Sequence, residues 1–125
     1  MIKNKPFPMV YVVDDDESVR KALKRLIISA GMFAEVFGSM EEFIQSGFQD
    51  NPGCLVTDVH MLGGTGFALK SYLDAAGYTM PVIFITAHDS KETRKKAENA
   101  GAAAYLPKPF DDQVFLNAIK EACKC

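Results

Sequence analysis

The sequence predicts a doubly wound α/β sandwich, one five-stranded parallel sheet with helices on both faces. Three observations lead there. Short apolar runs recur five times, each is followed by a helical pattern, and four of the five runs end on residues with usable chemistry. Near-continuous apolar strands need cover on both faces, and parallel strands need a crossover to return in the same direction. Alternation of this kind therefore selects a parallel sheet.

The first run, Met9 to Val13, stops at Asp14, and Val19, Ala22, Leu23, Leu26 and Ile27 then repeat at helical spacing as far as Gly31. Phe33 to Phe37 is the second run. Ser39, with Glu42 three residues on, forms a capping box that opens a short helix, and Gly47 closes it. The third run, Cys54 to Thr57, stops at Asp58. The glycine-rich stretch Gly63 to Gly66 reads as a tight turn, because it matches no nucleotide-binding glycine pattern, and a helix with Phe67, Leu69 and Leu73 follows. The fourth run, Val82 to Ile85, stops at Thr86, and Asp89 and Glu92 open a polar helix that reaches Gly101. The fifth, Ala103 to Leu106, stops at Pro107, Lys108 and Pro109. Asp111 caps a last helix with Val114, Phe115, Ala118 and Ile119 on its inner face.

With 125 residues, 48% hydrophobic and 24% charged, the composition is that of one ordinary globular domain and excludes a disordered tail, a collagen-like repeat or a coiled coil. No repeat or linker interrupts it, so a single domain over residues 1–125 is expected. Lys and Arg total 14 against 16 Asp and Glu, leaving no basic surplus to neutralise phosphates, and no direct nucleic-acid binding is expected. No apolar run approaches the roughly 18 to 20 residues of a membrane span. Lys3, Lys5, Pro6 and Pro8 leave no room for a signal-peptide core, so the chain reads as cytoplasmic. Cys54, Cys123 and Cys125 are odd in number, and the last two are too close for an unstrained disulfide. A metal site built on them would need two more ligands, and His60 and His88 fall in other loops. The thiols read as reduced and structurally bland, the histidines as exposed loop residues.

In a parallel sheet all strand C-termini lie along one edge, where ligands bind. Asp14, Asp15 and Asp16 follow the first strand, Asp58 the third, Thr86 the fourth and Lys108 the fifth; the second contributes nothing comparable. Placing the second strand outside the first makes the other four adjacent, which gives the flavodoxin-like order 2-1-3-4-5. Gathered carboxylates repel one another unless a cation compensates them, and hard oxygen ligands suit Mg²⁺. Asp58 is then placed to attack a phosphoryl group, with Lys108 and the Thr86 hydroxyl on the phosphoryl oxygens. Singly, each of these residues has an ordinary reading as a cap or loop residue, and Asp16 is read as a cap; their joint occurrence at successive strand ends carries the functional one.

These residues stand in four blocks, VVDDDES at 12–18, LVTDVHM at 55–61, FITAH at 84–88 and YLPKPF at 105–110. In them the chain resembles the response regulator receiver domains of bacterial two-component signalling, over about Met9 to Cys123. It is similar in particular to receivers that precede a LuxR-type helix-turn-helix. The resemblance implies that Asp58 accepts a phosphoryl group from a histidine kinase, and that Asp14, Asp15 and Asp58, with the backbone carbonyl of His60, hold Mg²⁺. It further implies that Lys108 contacts the phosphate and that Thr86 and Tyr105 form a switch pair. The output face would lie at the fourth helix and fifth strand, pairing with a second copy or an output domain. Such a module is a regulated acceptor and not an enzyme. Two positions depart from the family pattern: Leu62 replaces a common proline, which predicts a looser turn, and Thr65 replaces a residue that is often acidic or serine.

Two rival readings are a phosphatase of the haloacid-dehalogenase type, with Asp14 attacking and Asp16 as acid and base, and a binding module that has lost phosphorylation. The first does not explain Asp58. The second does not explain why Asp58, Thr86 and Lys108 are all intact.

Overall fold

Each apolar run of the sequence becomes a strand of one sheet. The computed structural model describes residues 9–50, 53–61 and 63–123; Leu62 and Cys125, to which expectations were attached, lie outside them. The elements in chain order are β1 (Met9–Val13), α1 (Glu17–Ser29), β2 (Phe33–Phe37), α2 (Met40–Ile44), β3 (Gly53–Asp58), α3 (Gly66–Ala75), β4 (Val82–Thr86), α4 (Lys91–Asn99), β5 (Ala104–Pro107) and α5 (Asp112–Ala122). The five strands are all parallel and lie in the order β2-β1-β3-β4-β5, as the distribution of polar strand ends predicts.

Strand periodicity divides the core in two. Val10, Val12, Cys54, Val56, Ile83 and Ile85 face Leu23 and Ile27 of α1 and Phe115 and Ile119 of α5. The alternate residues Tyr11, Val13, Leu55, Val82 and Phe84 face Phe43 of α2, Leu69 and Leu73 of α3 and Ala97 of α4. β3 is buried along its whole length, whereas the edge strand β2 leaves Phe33 half exposed.

The helix starts follow cap chemistry. Asp16 accepts from the backbone N–H groups of Ser18 and Val19, and Asp111 from those of Gln113 and Val114. Ser39 accepts from Glu42 N–H while Glu42 returns a carboxylate oxygen to Gly38 N–H. Two expectations need correcting. Ser90, and not Asp89, caps α4, its hydroxyl accepting from Thr93 N–H. Val114 is 49% exposed, because Phe115 and Ile119 set the inner stripe of α5 and Val114 lies one position off it.

Candidate functional site

The C-terminal ends of β1, β3, β4 and β5 converge. Asp14 directly follows β1, Asp58 and Thr86 are the last residues of β3 and β4, and Lys108 directly follows β5. Asp14 and Thr86 are fully buried and Asp58 nearly so, while Asp15 is exposed. The Lys108 ammonium donates to Asp14 Oδ2 at 3.0 Å and to Asp58 Oδ2 at 3.2 Å. The remaining carboxylate oxygens are held by the backbone: Asp16 N–H donates to Asp14 Oδ1 at 2.9 Å, and His60 N–H to Asp58 Oδ1 at 3.2 Å. Lys108 N–H also donates to the Thr86 carbonyl at 2.7 Å, which fixes the lysine against the end of β4.

One ammonium serves two carboxylates, and the electrostatics reflect the shortfall. Burial pushes the Asp14 carboxyl above its ordinary range, against the opposing pull of Asp16 N–H and Lys108. Burial alone would lower Lys108, but the hydrogen bonds and charges of Asp14 and Asp58 outweigh it and hold the ammonium above its usual value. Carboxylate oxygens of Asp14, Asp15 and Asp58 all lie within 4.8 Å of one another. Three hard oxygen donors in that space, with a single lysine between two of them, fit a divalent cation such as Mg²⁺.

Between β3 and α3 runs a short antiparallel hairpin, His60–Met61 against Gly64–Thr65, so the turn expected over Gly63 to Gly66 is narrower: Gly63 lies in it, Gly64 and Thr65 pair as the returning strand and Gly66 opens α3. Gly63 takes a φ of 81°, in the left-handed region. The Thr65 hydroxyl accepts from Ala68 N–H and caps α3, a role the sequence reading did not give it. Gly66 sits so close to Asp58 that an added Cβ would lie 2.6 Å from the Asp58 backbone oxygen. His60 and His88 are exposed as expected, but their rings meet edge to face with centroids 5.4 Å apart.

At Thr86 the hydroxyl accepts from His88 N–H at 3.0 Å. Tyr105 lies on β5 opposite Phe84, and its hydroxyl donates to Asp89 Oδ1 at 2.9 Å. Arg94 of α4 forks the same carboxylate, Nε to Oδ1 at 2.9 Å and Nη2 to Oδ2 at 2.6 Å, with its guanidinium 6.0 Å from the Tyr105 ring centre. Arg94 above all holds the Asp89 carboxyl below its ordinary range. Sequence reasoning missed this cluster. Asp89 stands next to Ser90, both are good caps, and the Asp89 to Arg94 spacing of five is not a helical pairing signal.

The response regulator receiver domain family matches residues 10–120. The transcriptional regulatory protein FixJ of Azorhizobium caulinodans is 39% identical over 111 residues, covering 89% of this chain and 53% of that protein. The chain spans about half the length of the curated relatives it matches. The crystal structure of FixJ-N superposes with a TM-score of 0.86 at 32% identity, covering 96% of each chain. The solution structure of the beryllofluoride-activated NtrC4 receiver domain dimer superposes with a TM-score of 0.83 at 31% identity, covering 93% of this chain and 96% of that one. Family match, sequence identity and strand order agree over nearly all of the described residues, and the chain belongs to the response regulator receiver domains of two-component signalling.

Proposed function

We propose that Asp58 is the phosphoacceptor and that a histidine kinase or phosphotransfer protein is the donor. The observation that carries this reading is the Lys108 ammonium bound to both Asp14 and Asp58 where four strands end. A carboxylate oxygen of Asp58 forms the new P–O bond as the P–N bond to the donor imidazole breaks, and the imidazole leaves with the electron pair. Lys108 neutralises charge on one phosphoryl oxygen and the Thr86 hydroxyl donates to another. Asp14, Asp15, Asp58 and the His60 carbonyl would hold Mg²⁺, which when bound would neutralise the carboxylates and the phosphoryl oxygens together. The Asp16 carboxylate is used as the cap of α1, which supports a regulated acceptor over a phosphatase that would need it as acid and base.

Phosphorylation adds a dianion beside Thr86, and a shift follows only from its differential interaction with two states. Thr86 and Tyr105 are the switch pair. Turning Tyr105 inward would break its bond to Asp89 and reshape a shallow pocket of about 260 Å³ between Arg94, Glu98 and Tyr105 on the α4 and β5 face. Likeness to the NtrC4 receiver dimer supports pairing with a second copy, which this reading places on the α4 and β5 face, and likeness to FixJ supports a transcriptional output; the reading further takes the effector to be of the LuxR type and the setting to be the cytoplasm.

The test is intact mass after incubation with a small phosphodonor and Mg²⁺. One phosphoryl group should add to the wild-type chain and none to Asp58→Asn. Equal labelling of the variant would move the nucleophile elsewhere.

A further inference from the structure

We propose that Arg20 is a positioning residue of the acidic site: its guanidinium pins the peptide unit joining Asp14 to Asp15, and so sets the relative placement of two carboxylates assigned to Mg²⁺. The inference rests on the metal reading above and adds a residue to it. Arg20 Nη1 donates to the Asp14 carbonyl at 2.7 Å. That oxygen belongs to the planar peptide between the two acids, so holding it restrains ψ of Asp14 and φ of Asp15 together. The other polar groups of Asp14 are held as well. Its N–H donates to the Phe37 carbonyl at 3.1 Å, and its carboxylate accepts from Asp16 N–H and from Lys108. Arg20 supplies the remaining contact.

The local structure explains the reach. Arg20 lies near the start of α1, its N–H bonded to the carbonyl of the cap residue Asp16. Long side chains on a helix lean toward its N-terminus, which carries the half-buried Arg20 side chain back over the cap to the end of β1. A cation there gains nothing from the helix dipole, so the carbonyl and its surroundings must hold it. Gly38, directly after β2, leaves the room: a Cβ at that position would lie 3.2 Å from Arg20 Nη1 and 3.6 Å from its Cζ. The second strand brings no reactive residue to the edge, yet its end provides the cleft for this guanidinium. Charge and positioning predict opposite signs. A positive charge near the site repels a divalent cation, so losing Arg20 for its charge alone would tighten Mg²⁺ binding, whereas losing the pinned peptide weakens it.

The experiment titrates Mg²⁺ into the full chain and three variants, followed by the amide resonances around Asp14 and Asp15, and measures labelling by a small phosphodonor over a range of Mg²⁺. Arg20→Met keeps the aliphatic stem and removes the donor; its Mg²⁺ affinity should fall about 10-fold, the lower end of the range for groups that orient metal ligands. Labelling of Asp58 should need correspondingly more Mg²⁺, while the rate at saturating Mg²⁺ stays near that of the wild type. Lys21→Ala removes the same charge one residue on, from an exposed lysine 3.4 Å from Glu17, and should not weaken Mg²⁺ binding. Gly38→Ala crowds the guanidinium without touching a carboxylate of the site. It should weaken Mg²⁺ binding by a smaller factor, and it carries the test if Arg20→Met does not fold. Unchanged or tighter Mg²⁺ binding in Arg20→Met, or an equal loss in Lys21→Ala, would overturn the proposal. So would a lower urea midpoint with affinity and labelling unaltered, since that is a structural tie alone. A wild-type chain that binds Mg²⁺ but takes no label at Asp58 would overturn the phosphoacceptor reading and leave Arg20 to be judged by the titration; one that binds no Mg²⁺ would overturn both.

Discussion

Replacing Gly66 by alanine would set a Cβ 2.6 Å from the backbone oxygen of Asp58 and 3.1 Å from Thr57 Cγ2. The oxygen cannot step aside freely, because Asp58 ends a strand buried along its whole length and its neighbour Val59 is tied in two directions, N–H to the Ile85 carbonyl and carbonyl to Gly66 N–H, both at 2.9 Å. The separation must open from 2.6 to at least 3.0 Å, so either α3 lifts or the end of β3 moves. Overpacking of this kind costs about 1–3 kcal/mol, and the better helix propensity of alanine returns up to about 1 kcal/mol. The net loss is then about 1–2 kcal/mol, which at a urea m-value of about 2 kcal/mol/M lowers the midpoint by roughly 0.5–1 M. Because the displaced atom belongs to the proposed phosphoacceptor, labelling by a small phosphodonor should slow as well. Gly64→Ala, in the hairpin just before α3, is the control: its Cβ would meet only the end of the Met40 side chain, Sδ at 3.7 Å and Cε at 3.9 Å, and should cost under about 0.5 kcal/mol. Wild-type stability and labelling in Gly66→Ala, or an equal loss in Gly64→Ala, would refute the reasoning.

Three further outcomes follow from the site. Lys108→Ala leaves Asp14 and Asp58 without their cation; with the lysine side chain 21% exposed, the loss should fall below that of a fully buried pair, at about 1–3 kcal/mol in urea unfolding without Mg²⁺. Asp15→Asn should weaken Mg²⁺ binding about 10-fold or more by titration, and unchanged affinity would remove Asp15 from the ligand set. The Asp89 carboxyl is lowered in the folded chain, so its contact with Arg94 and Tyr105 is complete above the ordinary carboxylate range and is lost as pH falls through the lowered value. Tyr105 ring resonances should follow that titration and should already be shifted at neutral pH in Asp89→Ala.

Strand identities and order were legible because the signals are local: apolar runs that end abruptly on Asp14, Asp58, Thr86 and Lys108 mark both the strands and the reactive edge. What was not legible depends on residues far apart in the chain or on competition between neighbours. Cys123 joins the core cluster that contains Cys54 only because α5 folds back onto the sheet, and no spacing rule announces that. The choice between Asp89 and Ser90 as cap was decided by the pull of Arg94 and Tyr105 on Asp89, a tertiary preference over a local one. The close approach of Gly66 to Asp58 is a fact of helix-on-sheet packing, whereas the sequence showed only a run of turn-forming glycines.

The bonds from Lys108 to Asp14 and Asp58 span 94 and 50 residues. Contacts of such sequence separation carry a large loop-closure cost in an open chain, while the α1 and β2 packing on β1 is local by comparison. Sequence separation therefore predicts that the acidic site assembles late, after the folding barrier is crossed and not on the way up it. Substitutions at Lys108 should leave the refolding rate nearly unchanged and act on the unfolding limb of the chevron. Selection on phosphoryl chemistry at this edge can then proceed without slowing how the chain folds.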